Sequence, residues 1–383
     1  MVSAGSEHTV FLQSDGKAVA CGLNDFRQCE IPPLDEGMSY IQVSACHEHT
    51  VLLRSDGCAV ATGNKSDGRC IIPPLGEKVS YTQVSAGACH TVLLRSDGKV
   101  VVCGANEAGQ CDIPLLDEGI VYTQVSAGFF HTVLLRSDGT AVACGMSSGR
   151  QCNIPQLDDG MSYIQVAAGV THTVLLRSDG CAVACGRNPD QRCCIPPLAA
   201  GQSYIQVSAG NCHTVLLRSD GRAVACGGFV KGQCDIPPLD DGIFYIEVSA
   251  GYEHTVLLRS DGRAVACGKN REGQCQIPSC PSGIQYIRNE MFQPVDLVLQ
   301  LEFVFEDGSF AVICSALTGQ EVLRIDARPS DLAWEIHKRI ANELNVNLQN
   351  LRVVLPKGQL LAAVPLATVL DLCENAKPRL INS

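Results

Sequence analysis

The nine residues HTVLLRSDG stand at 49–57, 90–98, 131–139, 172–180, 213–221 and 254–262, and a looser copy, HTVFLQSDG, stands at 8–16. Their histidines, His8, His49, His90, His131, His172, His213 and His254, are spaced by 41 residues without exception. Tyr40, Tyr81, Tyr122, Tyr163, Tyr204, Tyr245 and Tyr286 keep the same step, and so does an Asp-Gly pair running from Asp15 to Asp261. A period this strict restricts the chain to a repeat architecture. Seven units run from about Val2 to Arg288, which leaves residues 289–383 for something else.

One unit, residues 122–163, reads as β-structure throughout. YTQVSAG alternates and is β-prone, HTVLLRS is a second strand, TAVACG a third, and the short QCNIP a fourth. Asp138-Gly139 marks the hairpin between the second and third, as in a type I′ turn. Four short strands in 41 residues, seven times over, predict a seven-bladed β-propeller. A β-solenoid needs a much shorter period, and the β-branched, glycine-rich units exclude a helical one. In the first unit the tyrosine strand is missing, because it would precede Met1. QYIR at 285–288 is an orphan copy of it. Pairing Tyr286–Arg288 beside Val2–Gly5 would join the chain ends and remove two exposed edges.

Charge narrows the function. Residues 1–288 hold 21 Lys and Arg against 28 Asp and Glu, and residues 289–383 hold 8 against 12, giving −7 and −4. Neither part is basic, so binding to nucleic acid or to an anionic membrane is not expected. No apolar run reaches the length of a membrane helix. No basic stretch followed by an apolar one opens the chain, so no signal peptide is expected, and an intracellular location, cytoplasmic or nuclear, follows. Met1 stands directly against the repeat, as in a chain that begins inside a longer natural protein.

The unit pattern SAGxxHTVLLRSDGxAVACGxNxxGQCxIP resembles the repeat of the regulator of chromosome condensation family. The third unit shows it best, in Gly87, His90, Asp97-Gly98, Gly104, Asn106 and Gly109-Gln110. The short period and trailing Ile-Pro are also similar to the bacterial β-lactamase inhibitor proteins built on the same propeller. The family's tryptophan before glycine is replaced here by Cys21, Cys103, Cys144, Cys185, Cys226 and Cys267, and by Thr62 in the second unit. The leucine after Gly-Gln is also cysteine. In the family's plant ultraviolet photoreceptor, clustered tryptophans absorb light. The one tryptophan here, Trp334, lies outside the repeats, so that function is rejected.

The repeated polar residues have mostly structural readings. Seven histidines spread around a ring cannot share one metal, whose bonds to nitrogen are about 2 Å. Each is expected to bond backbone groups within its own blade. His47, His49 and Cys46 form the one local cluster with ligand chemistry, and no metal or other cofactor is expected. Of 22 cysteines, 13 keep the period, including a Cys-x7-Cys pair in six units. A disulfide or metal site per blade is conceivable. The simpler reading is a free thiol that fills the place of a larger apolar residue. Arg54, Arg95, Arg136, Arg177, Arg218 and Arg259 precede the hairpin turns and are expected to pair locally.

The residues that break the repeat carry the functional information. They fall between the glycine and the histidine of each unit and in the loop after Cys-Gly. Variable loops on a fixed scaffold are free to bind. The candidate partner-binding residues are Glu7, Glu48, Phe129, Phe130, Asn211, Phe229, Tyr252 and Glu253, with the aromatics as anchors.

After Arg288 the period stops. LVLQLEFVFEDGSFAVICS predicts a hairpin turning at Asp307-Gly308 within a connecting segment, 289–309. Residues 310–383 then carry a Leu-Thr-Gly turn, a Pro-Ser-Asp before a helix with Ile336, Ile340 and Leu344 on one face, and a following strand. This resembles ubiquitin and implies a small α+β ubiquitin-like (β-grasp) domain. PRLINS is a weak last strand, and there is no terminal Gly-Gly, so conjugation to other proteins is not expected. By the resemblance, Leu317 and Val354 fall on ubiquitin's apolar recognition patch.

No nucleophile–base pair, phosphate loop or paired carboxylates stand out, so no catalytic residue is assigned. The expected function is a protein-interaction platform, with a protein partner on one propeller face and a ubiquitin-like module attached. That makes a ubiquitin-pathway protein one expected partner. The alternative, implied by the family's founding member, is guanine nucleotide exchange on a small GTPase. Exchange factors of that kind insert a wedge, and here every unit is 41 residues long with no insertion.

Overall fold

The computed structural model describes residues 1–288 apart from 77 and 229, and beyond them the backbone of four strands. The chain divides into two compact units, one built from the repeats and one from the strands that follow.

The repeats form seven three-stranded antiparallel sheets arranged as propeller blades. In the fourth blade the inner strand is Tyr122–Ala127, the middle strand His131–Arg136 and the outer strand Ala141–Gly145. Tyr122 pairs with Arg136 and Ala127 with Thr132, while His131 pairs with Gly145. The middle strand, HTVLLR, is buried at every residue but the last, which is why it does not alternate apolar with polar residues. The expected fourth strand does not form. Residues 151–155 carry no ladder, and the segment is instead pinned by the Tyr163 hydroxyl, which donates to the Pro155 carbonyl at 2.8 Å. A proline has no N–H to give a ladder, so its carbonyl is used alone.

The hairpin turn also differs from expectation. Gly139 has φ +79°, but Asp138 does not have positive φ. The Gly139 amide donates to the Arg136 carbonyl at 3.0 Å, and the Arg136 amide to Thr140 at 2.8 Å. That is a type I turn closed by a left-handed glycine, not a type I′ turn. The aspartate holds it by accepting from the Thr140 amide at 2.9 Å. An added Cβ on Gly139 would lie 2.5 Å from Cβ of Ser162, so glycine is required twice over.

The apolar core lies between blades. Val92 and Leu94 of the third blade pack with Tyr122, Val125 and Leu134 of the fourth. Val133 and Leu135 of the fourth pack with Tyr163, Val166 and Leu175 of the fifth. At the junction of the ends, Val256 and Leu258 meet Val2, Phe11 and Tyr286. Phe11 stands where the other units have leucine, and its ring lies 4.8 Å from that of Tyr286. The closure is not side by side, as the sequence suggested, but end to end. Val2, Ser3 and Ala4 pair with Phe11, Val10 and Thr9. Tyr286 continues the same line by bridging Gln13, and the Ile287 amide donates to Leu12 at 3.1 Å. The two chain segments together make one inner strand.

Each inner strand is an edge whose amides need acceptors. The preceding blade supplies them. Gln42, Gln83, Gln124, Gln165 and Gln206 accept from the amides of Val84, Val125, Val166, Val207 and Val248 at 2.8–2.9 Å. Glu247 does the same for Val2 at 3.3 Å. Ser3, Ser44, Ser85, Ser126, Ser208 and Ser249 accept from an alanine amide of the next blade. The fifth blade breaks this series, because Ala167 replaces the serine and has no hydroxyl to offer Ala209.

The histidines close a second circle. Nε2 of His8, His49, His90, His131, His172 and His213 lies 2.8–3.0 Å from the hydroxyl of Thr50, Thr91, Thr132, Thr173, Thr214 and Thr255, each in the next blade. His254 meets Thr9 and completes the ring at 2.9 Å. The bonds therefore run between blades, to side chains, and not to backbone within a blade. Each threonine hydroxyl gives its proton to a carbonyl, as Thr132 does to Gln110 at 2.8 Å, so it accepts from Nε2–H. Nδ1 of all seven is buried without a partner.

In the second unit the strands are Leu299–Glu306, Ser309–Ala316, Glu321–Ala327 and Val353–Val354. The first two form the hairpin expected around Asp307-Gly308, with Glu306 opposite Ser309. Glu321–Ala327 pairs on the far side of the second strand, and Val353–Val354 runs parallel to Leu299–Gln300. The helix expected at 330–344 lies outside the described residues.

Two outcomes test this packing. Burial holds His8, His90 and His254 down at about 3, His131 and His213 at about 4, and His49 and His172 well below the usual 6.5. The unfolded chain takes up these protons near 6.5, and the folded ring does not. Stability is therefore full above that pH and falls as pH drops, by up to about 1.4 kcal/mol per histidine per pH unit. The propeller is expected to unfold cooperatively between about pH 6 and pH 4 when followed by circular dichroism; a fold intact at pH 4 contradicts the account. Separately, Ala167→Ser restores the missing rung and is expected to add about 0.5–1.5 kcal/mol. Calorimetry should show a rise in Tm, and an unchanged or lower Tm rejects the rung.

Candidate partner-binding face

One end of the ring carries the hairpin turns, and the other carries the segments between glycine and histidine. At the second end the residue after each glycine donates its amide to the next blade. Phe129 donates to Gly169 at 3.2 Å, Val170 to Gly210 at 3.1 Å, Tyr252 to Gly5 at 3.0 Å and Ser6 to Cys46 at 2.9 Å. Glycine suits this close approach: a Cβ on Gly128 would lie 2.5 Å from both the Gly169 carbonyl oxygen and the His131 ring. The segments are thereby drawn around the axis, and their first side chains meet over it.

Phe129 is the hub. Its ring centroid lies 5.3 Å from that of His47, two blades away, with the planes at 74°. It lies 6.5 Å from Tyr252, three blades away on the other side. Phe130 stands edge to face against it at 4.7 Å. All four rings are partly exposed. The sequence named Phe129, Phe130 and Tyr252 but weighed His47 only as a metal ligand. Its place in the cluster had a signal, since it occupies the same register as Phe129 and Tyr252.

The acidic candidates surround this cluster. Glu7 accepts from Lys269 Nζ at 2.6 Å and from Gln274 at 3.2 Å, and Glu253 lies 3.4 Å from the same lysine. Glu48 accepts from Asn64 at 2.6 Å and lies 3.7 Å from Arg69 and 3.6 Å from His47. The neighbouring carboxylates raise the pKa of Lys269, its hydrogen bond to Glu7 foremost, so it stays charged. Asn211 is partly exposed, and its carbonyl accepts from Arg192 at 2.5 Å. Sequence reading missed Arg69 and Arg192. Both replace the glutamine of Gly-Gln, whose amide oxygen elsewhere caps its own loop, as Gln110 does for Ala108 at 3.0 Å. The longer guanidinium reaches the axial segment instead, Arg69 to the Ala88 carbonyl at 2.7 Å.

Phe229 and Leu317 lie outside the described residues. Val354 is in the two-residue strand of the second unit. The periodic arginines do pair locally, Arg54 with Asp56 at 2.8 Å and Arg95 with Asp97 at 2.7 Å. Every cysteine of the described residues is a free thiol. Burial pushes Cys21, Cys144 and Cys185 up to about 12, so they stay protonated at neutral pH. Their S–H groups point at carbonyls of the preceding blade, Cys144 at Gln110 at 3.6 Å. Among the described residues no three His, Cys, Asp or Glu side chains come close enough to share a metal ion. No helix of the described residues is long and apolar enough to cross a membrane.

Comparison with known proteins agrees with this architecture. The model of the regulator of chromosome condensation (RCC1) repeat matches residues 2–28, 81–110, 122–151, 163–191, 204–233 and 245–274. The second blade is not among the matches, and there Cys46 and Thr62 depart from the other units. A search of curated proteins returned no match. Human WBSCR16 is 19% identical, with a TM-score of 0.56 over 67% of this chain and 85% of its own. The CRINKLY WD40 ectodomain of the Arabidopsis thaliana receptor kinase ACR4 is 22% identical, with a TM-score of 0.54 over 70% and 93%. The ectodomain of the Physcomitrella patens receptor kinase CR4 is 16% identical, with a TM-score of 0.56 over 86% and 88%. These likenesses show the fold, and six of its seven blades match the regulator of chromosome condensation (RCC1) repeat.

Proposed function

We propose that the chain is a non-catalytic protein-interaction platform whose partner docks on the Phe129 end of the propeller. The observation that carries this is the meeting of Phe129, His47 and Tyr252 over the axis, partly exposed, from three separate blades. The repeated histidines, threonines, glutamines and serines are engaged in closing the ring. What distinguishes the face is therefore the residues that break the repeat. Partly exposed aromatics at the centre of a surface are the usual anchors of an interface.

A second reading is guanine nucleotide exchange on a small GTPase, favoured by the repeat type. Units of constant length, with no inserted wedge, weigh against it. We also read residues 289–309 as a connecting segment and 310–383 as a ubiquitin-like domain, with Leu317 and Val354 as its contact residues and a ubiquitin-pathway protein as its partner. The support for this is the sequence pattern around Leu-Thr-Gly and Pro-Ser-Asp.

The double variant Phe129→Ala, Phe130→Ala is expected to lose partner capture by about 30-fold or more, as for a central hot spot. Its melting curve should stay near that of the parent. Capture at parental strength rejects this face, and unfolding of the variant makes the two rings core. For the exchange reading, the purified chain should accelerate nucleotide release from one of a panel of small GTPases. No acceleration across the panel removes that reading.

A further inference from the structure

Two series around the axis differ from blade to blade, and together they specify a ligand. The residues after each glycine are Ser6, His47, Ala88, Phe129, Val170, Asn211 and Tyr252. Ser6 is buried and short, and it stands between Tyr252 and His47 around the ring. Phe129 faces those two rings from across the axis, 5.3 Å from His47 and 6.5 Å from Tyr252. The rings of His47 and Phe129 stand at 74°, and those of Phe129 and Phe130 at 82°. The rings are partly exposed, and the electron-rich face of an aromatic ring attracts a cation.

The residues just before each histidine are Glu7, Glu48, Cys89, Phe130, Thr171, Cys212 and Glu253. The acids fall on the seventh, first and second blades, which are neighbours around the ring. They therefore lie on the side of the ring where Ser6 stands. Four carboxylates there, of Glu7, Glu48, Asp67 and Glu253, face two cations, Lys269 and Arg69, which leaves an excess of two negative charges. The side chains of Glu7, Glu48 and Glu253 keep 22–25% of their surface in water, so an incoming group can reach them.

Resting on the reading of this end as the partner face, we propose that the partner seats an arginine side chain over Phe129, His47 and Tyr252, with its guanidinium toward Glu48 and Glu253. A guanidinium is planar and stays charged. It stacks on aromatic faces and forks onto carboxylates, which a compact ammonium does less well. An acidic side chain would meet the carboxylate arc and be repelled, and a neutral apolar one would leave that arc without a counter-charge.

The test titrates the full chain with the peptide acetyl-Gly-Arg-Gly-amide and with its citrulline counterpart, which has nearly the same shape and no charge. The aromatic resonances of Phe129, Tyr252 and His47 are followed by NMR. The arginine peptide is expected to give saturable shifts, and the citrulline peptide to bind about ten-fold more weakly. Phe129→Leu and Tyr252→Leu should each weaken the arginine peptide by about five-fold or more. Glu48→Gln with Glu253→Gln should weaken the arginine peptide and leave citrulline unchanged. If Phe129→Leu does not fold, Tyr252→Leu carries the comparison. Equal binding of the two peptides, or no saturable shift with arginine, overturns the proposal. The platform reading stands or falls separately, on capture by the Phe129→Ala, Phe130→Ala chain.

Discussion

The hydrogen bond from one blade's histidine to the next blade's threonine is the contact on which the rest of the propeller depends. It is repeated seven times and returns to its start at His254 and Thr9. Nε2 donates to a hydroxyl that has already given its proton away, so the neutral imidazole carries its one proton on Nε2. A second proton would sit on Nδ1, which has no acceptor in reach among the described residues. Burial enforces the same condition by holding the histidines far below their usual range. Fold and protonation state are thus one choice: the closed ring requires neutral histidines, and burial within the ring keeps them neutral.

Apolar packing follows the same between-blade logic. A single blade has three strands and no core of its own. Its middle strand buries one face against the blade before and the other against the blade after. The inner strands would be open edges if glutamine and serine from the previous blade did not cover them. Such a structure gains little until it closes, and the end-to-end joint of Tyr286–Ile287 with Val2–Ala4 is what closes it. Phe11 marks that joint in the sequence as the one aromatic where the other units have leucine.

In the proposed platform, function resides in what the symmetry leaves over. A residue repeated seven times is committed to the ring, and a residue that appears once is available. The axis magnifies this difference. Side chains from all blades converge there, so a few substitutions in one register, such as phenylalanine, tyrosine and histidine for alanine or serine, build a local surface without altering any strand. The arginines at 69 and 192 act in the same way, replacing a loop-capping glutamine by a group long enough to reach the axial segment.

Much of this was legible in the chain as written. The period of 41, the three blade strands, the Asp-Gly hairpin and the partly exposed aromatics are all local or strictly periodic signals. The number of blades and the order of strands followed from them, and Phe129, Phe130 and Tyr252 stood out as breaks in the repeat. Other features were set by the curvature of the ring. Sequence alone could not show that His131 reaches Thr173 and not its own blade, because the two are 42 residues apart and meet only when blades stack at the ring's angle. The Ile-Pro segment looked like a fourth strand by composition, but no neighbour presents a ladder to it, and a tyrosine hydroxyl holds it instead. The turn looked like type I′ from its two letters, and the aspartate's bond to the Thr140 amide selected type I with a glycine bulge. His47, Phe129 and Tyr252 stand two and three repeats apart in the chain. The sequence determined which residues they are; only closure of seven blades around one axis decided that they touch.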